Sequence, residues 1–114
     1  MQQPAPKNKV CEALLESIDE TMTALLSREV VESLYRNLRT VHSIQKEEVP
    51  RRLEVLVSFL DRVFGHRGTK AICKAIAREF YAKLGLTFFY NPDRTFIEYV
   101  EEAKIKLGKG GGRF

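Results

Sequence analysis

The sequence predicts an all-α fold, a single bundle of about five amphipathic helices with a short extended aromatic segment before the last one. Three observations carry this expectation. Apolar residues recur every three or four positions in five separate stretches. Glycine, proline and serine punctuate the joins between them. Only one β-prone run exists, and it has no second run in its own chain to pair with. At 114 residues the chain suits one core and is short for two.

Residues 1–8 (MQQPAPKN), with two prolines and no apolar periodicity, read as a disordered N-terminal arm. The helical domain is expected over 9–107. Its first helix, Lys9 to Leu26, carries Val10, Leu14, Ile18, Met22 and Leu25 at helical spacing. Ser27 is placed to cap a second helix, with Glu29 in its first turn. The apolar face there is Val30, Val31, Leu34, Tyr35, Leu38 and Val41, and the pattern fades at His42 and Ser43. Pro50 has no N–H to give and suits the first turn of a third helix. Leu53, Leu56, Phe59, Leu60, Val63 and Phe64 form that helix's buried face. Gly65-His66-Arg67-Gly68 reads as a connector, with Gly65 ending one helix and Thr69 capping the next.

The fourth helix carries Ile72, Ile76, Phe80 and Leu84, flanked by Cys73, Ala77 and Tyr81, and closes at Gly85. Leu86 to Tyr90 reads as an extended arm that lays Phe88 or Phe89 onto the helices, and Asn91-Pro92-Asp93 as a turn. Thr95 to Glu98 matches a capping box, in which hydroxyl and carboxylate satisfy each other's backbone N–H. The fifth helix then turns Phe96, Val100, Ala103 and Leu107 inward. Residues 108–114, glycine-rich and basic, read as a disordered tail.

Composition points to a soluble cytoplasmic protein: 44% hydrophobic, 30% charged, and no apolar run near the roughly 20 residues that cross a bilayer. No charged start precedes an apolar stretch at the N-terminus, so no signal peptide is expected. Cys11 and Cys73 are distant in sequence and form no CxxC pair, which suits reduced core thiols; a disulfide between the first and fourth helices is the alternative.

The most directional chemistry is a row of cations. Arg67, Lys70, Lys74 and Arg78 fall at steps of three or four, so a helix presents all four on one face, opposite its apolar stripe. Most such rows are merely solvated. Joined to the preceding helix by a glycine turn, this one has the outline of a helix-turn-helix, although Asn, Gln and Ser are absent from the face and Glu79 intrudes on it. Phosphate contact without base readout is the most that the basic helix, 69–84, promises. The net charge of +4 is mild.

Catalytic and metal chemistry find little support. His42 and His66 sit in no ligand spacing, and the Gly-His-Arg-Gly stretch lacks the surroundings of a phosphate loop. Glu47, Glu48, Glu98, Glu101 and Glu102 lie on charged faces rather than converging. No catalytic, cofactor-binding or metal-binding residue is assigned, and no cofactor is expected. The second candidate surface is apolar. Side chains alternate along an extended segment, so Phe88, Phe89 and Tyr90 cannot all point inward. An exposed apolar patch rimmed by charge is a partner surface.

The segments LVSFLDRVF (56–64), Gly65, Lys70 to Leu86 and TFIEYVEEA (95–103) resemble a family of small, mostly archaeal helical proteins. That family is described as an output domain of prokaryotic signalling systems, the Nitrosopumilus-type output domain. The shared pattern is a Phe-Gly break, a helix ending Phe-Tyr-x-Lys-Leu-Gly-Leu, and a Tyr-Val-Glu-Glu-Ala helix, covering Cys11 to Leu107. The resemblance implies a stand-alone signalling or adaptor domain and transfers no catalytic residue. The expectation is therefore a non-enzymatic macromolecule-binding domain whose partner is another protein. Nucleic-acid binding through the basic helix is the alternative, and a homodimer through the first helix or the aromatic arm is a further arrangement the sequence allows.

Overall fold

Among the residues described by the computed structural model (backbone 6–111, side chains 9–108), the order is α1 (Pro6–Leu25), α2 (Arg28–His42), a 3₁₀ turn (Lys46–Arg51), α3 (Leu53–Lys83) and α4 (Phe96–Gly111). None of these residues forms a strand. Within α3 the backbone leaves helical geometry at Gly65 (φ 81, ψ 167), which divides a first arm, 53–64, from a second, 66–83. With the two arms counted separately, the chain is the expected bundle of five α-helices. It measures 43 × 39 × 21 Å, two helix diameters thick.

Local chemistry sets most boundaries. The Ser27 hydroxyl accepts from the Val30 N–H at 3.2 Å and starts α2. Ser43, in the left-handed region at φ 57, ends α2: its N–H donates to the Arg39 carbonyl and the next N–H, of Ile44, to the Leu38 carbonyl, each at 3.1 Å. Gly85 (φ +74) ends the second arm. Thr95 and Glu98 form the capping box: the Glu98 carboxylate accepts from Thr95 N–H at 2.9 Å, and the Thr95 hydroxyl accepts from Glu98 N–H at 3.1 Å.

The core takes Leu14, Ile18, Leu34, Leu38, Leu56, Phe59, Leu60, Ile72, Ile76, Phe80 and Val100, all of them read from the stripes. α3 is the spine, with α1 and α4 packed against it. Lys83 fastens the second arm to α1 through Glu20 at 3.0 Å and Glu16 at 3.8 Å. Lys46 ties the 3₁₀ turn to Asp19 of α1 at 3.5 Å and lies 5.0 Å from the Tyr35 ring centroid on α2.

Several boundaries differ from the sequence reading. Pro50 lies inside the 3₁₀ turn, not in the first turn of α3, because Val49 and Pro50 are buried there and hold the turn against the core. His66, Arg67 and Gly68 are helical rather than a connector, so Gly65 alone makes the break. Thr69 is accordingly no cap: it lies within the second arm and is 3% exposed. Leu25, Val30, Val41 and Val63, which spacing placed on the apolar stripes, are exposed. Helix α1 begins at Pro6 and α4 runs to Gly111; residues 1–5 and 112–114, on which most of the expected disordered ends fall, lie outside the described residues. Cys11 and Cys73 are free thiols. No helix among the described residues is long and apolar enough to cross a membrane.

Candidate binding surface

The second arm of α3 buries Ile72, Cys73, Ile76, Ala77, Phe80 and Tyr81. The opposite side leaves Arg67, Lys70 and Arg78 exposed and Lys74 half-buried. Helical rise spreads the four cations over about 16 Å. No salt bridge engages any of them among the described residues.

Three tyrosine and phenylalanine rings fix the aromatic arm. Tyr81, buried on the second arm, donates its hydroxyl to the Tyr99 carbonyl of α4 at 2.7 Å. Burial holds its phenol above the ordinary range, and the Glu102 carboxylate adds to the effect. The Tyr99 hydroxyl accepts from Asn91 N–H at 2.6 Å and donates to Asn91 C=O at 2.8 Å, clasping the chain just after the arm. Phe88 inserts between these rings, with centroids 5.3 Å from Tyr81 and 5.0 Å from Tyr99. With Phe88 turned inward, alternation turns Phe89 outward, and it is 73% exposed. Tyr90 is 50% exposed.

The arm returns across the basic stripe. Lys74 Nζ lies 4.1 Å from the centroid of the Tyr90 ring, a cation–π contact. The two surfaces that the sequence offered as alternatives therefore meet through Lys74, Arg78, Phe88 and Tyr90, while Phe89 turns to the other face of the arm. Lys74, Arg78, Ala82, Leu86, Phe88 and Tyr90 line an open groove of about 780 Å³ between helix and arm. Neither Lys70, one turn before Lys74, nor Arg67, at the far end, borders the groove; Lys70 lines a cavity at the break in α3. Glu79 also lines the groove, 3.8 Å from a Lys83 that it shares with Glu16 and Glu20. The sequence showed each half of this surface; it held no signal for their meeting.

The remaining candidates are engaged in structure. His42 ends α2 with its ring edge-on to Phe59. Glu48 caps the 3₁₀ turn through Gln45 N–H at 2.7 Å, Glu98 caps α4, and Glu102 binds Arg94 at 2.9 Å. A second cavity, of about 550 Å³, brings Asp61, His66 and Cys73 to the break in α3. Sequence reasoning missed this grouping because the three residues fall on two arms. His66 Nδ1 lies 3.8 Å from Asp61 Oδ1. Burial first, and the Asp61 charge second, push the Cys73 thiol up to about 12, so it keeps its proton at neutral pH and is a poor nucleophile. Asp61 Oδ1 and Thr69 Oγ1 are buried without hydrogen-bond partners. Among the described residues, no group of three or more His, Cys, Asp and Glu side chains is arranged to hold a metal ion.

Comparison with family models, with curated proteins and with solved structures returns no match.

Proposed function

We propose that this chain is a non-enzymatic, cytoplasmic binding domain that docks another protein on the surface where the basic stripe meets the aromatic arm. One observation carries the reading: Lys74 lies on the half-exposed Tyr90 ring, so cations without salt-bridge partners border the apolar lining of Ala82, Leu86, Phe88 and Tyr90. Apolar patches rimmed by charge characterise protein interfaces. A signalling-output or adaptor role, as the family resemblance implies, needs such a surface and no catalytic group. The protonated Cys73 thiol supports a non-catalytic reading.

Aromatic rings beside cations also suit single-stranded nucleic acid, where bases stack on the rings. Against that reading, Lys74 already occupies one face of Tyr90, and the helix face offers no Asn, Gln or Ser to read a base. Two measurements separate the readings. Labelled single- and double-stranded DNA and RNA are titrated against the protein at low and physiological salt, with Lys70→Glu/Lys74→Glu as control. In parallel, a photo-crosslinker at position 89 is activated in cell extract. Protein binding predicts no nucleic-acid affinity and a protease-sensitive, nuclease-resistant adduct that Lys74→Glu removes. Nucleic-acid binding lost on charge reversal, with a log–log salt slope of up to about −3.6 for four phosphate contacts, overturns the proposal.

A further inference from the structure

The groove also constrains the chemistry of its occupant, an inference that rests on the protein-docking reading above. Its apolar lining is Ala82, Leu86, Phe88 and the Tyr90 ring. Its helix wall carries Lys74 and Arg78, with Lys70 one turn further along. These three cations are separated by four residues each, which on a helix is about 6 Å of rise per step. No carboxylate of the described chain pairs with any of them; the one acid of the groove, Glu79, shares Lys83 with Glu16 and Glu20.

We propose that the groove takes an acidic amphipathic helix of a partner protein. Its carboxylates repeat every fourth residue to face Lys70, Lys74 and Arg78, and an adjoining apolar stripe seats against Leu86, Phe88 and Tyr90. Charge complementarity selects this occupant. A basic helix would meet three unpaired cations, and a neutral one would bury part of their hydration without recompense. On a helical partner, carboxylates four apart repeat at the same rise of about 6 Å and keep step with the stripe.

The test uses the full chain and three labelled peptides of equal length. One carries Glu at every fourth position beside a Leu stripe; one is a scramble of the same composition; one has Lys in place of every Glu. Anisotropy titrations are run on wild type, Phe89→Asp and Lys70→Glu/Lys74→Glu, with circular dichroism confirming that each variant is folded. The acidic helix is expected to bind at least about tenfold tighter than the scramble. Its affinity should fall about tenfold on charge reversal, and the reversed variant should now prefer the Lys peptide. An acidic peptide that binds no better than its scramble, or equally well to the charge-reversed variant, overturns the inference. If that happens while the crosslink from position 89 still captures a protein, the occupant is wrong and the docking reading stands. A crosslink to RNA removes both.

Discussion

Replacing Gly65 by alanine tests what bends α3. The residue sits at φ 81, ψ 167, a region that is essentially glycine-only, and a side chain held there costs about 1–3 kcal/mol. A Cβ built at the position meets no atom within 4 Å, so packing adds nothing and the whole penalty is backbone. The substitution also stiffens the unfolded chain, which returns about 0.4–1 kcal/mol. The net expectation is a loss of about 1–2 kcal/mol, or roughly 4–8 °C in Tm for a domain of this size. Urea unfolding followed by circular dichroism reads it directly. Gly68→Ala, three residues on, is the internal control: its backbone is helical, and its Cβ would lie 3.1 Å from Phe64 Cβ. There a gain of about 0.5–1 kcal/mol in helix propensity opposes a tight contact, leaving stability close to wild type. An unchanged or more stable Gly65→Ala protein would refute the reasoning. It would mean that residues 53–83 relax into one straight helix and that glycine does not dictate the break.

The same break accounts for an orphaned hydroxyl. Ser17 and Thr40 donate to the carbonyl four residues back, at 2.8 and 3.0 Å, but for Thr69 that carbonyl belongs to Gly65, where the helix is interrupted. Thr69→Val removes an unpartnered buried oxygen at constant shape, so a gain of about 1 kcal/mol in urea unfolding is expected and a loss of that size would show the hydroxyl to be satisfied. Tyr99→Phe deletes both bonds to Asn91 and should cost about 1–2 kcal/mol while accelerating amide exchange at Asn91; unchanged exchange would mean the clasp does not hold the arm. Stability should also fall in alkali. The folded Cys73 thiol binds its proton more tightly than the unfolded one, so stability is intact below pH 9.0 and declines as pH rises toward about 12. The slope is about 1.4 kcal/mol per pH unit. The buried Tyr81 phenol acts in the same direction. A Cys73→Ala protein should show a shallower decline, and an identical profile would assign the effect elsewhere.

What could be read without coordinates was whatever depends on near neighbours in sequence. Helical periodicity located the five helices of the described residues and most of the buried core, because a residue's face on a helix follows from its position alone. The Ser27 cap and the Thr95–Glu98 box were legible for the same reason: each is complete within four residues. The four-cation stripe was visible as a stripe. The errors at Thr69 and the Gly-His-Arg-Gly stretch came from treating two glycines as one loop, when only the backbone dihedrals distinguish a helix-breaking Gly65 from a helical Gly68.

Tertiary structure decided what local pattern could not. Which aromatic of the arm enters the core depended on Tyr81 and Tyr99, from helices on either side of it in the chain, clasping around Phe88. That choice exposed Phe89 and carried Tyr90 back onto Lys74, sixteen residues earlier in sequence. Contacts across such separations depend on how whole helices pack, and no short window of sequence encodes that. The sequence by itself therefore determined the helices and their faces, because those are local properties of a chain with fixed helical period. Only the packing of α4 and the arm on α3 decided that its basic and aromatic faces meet.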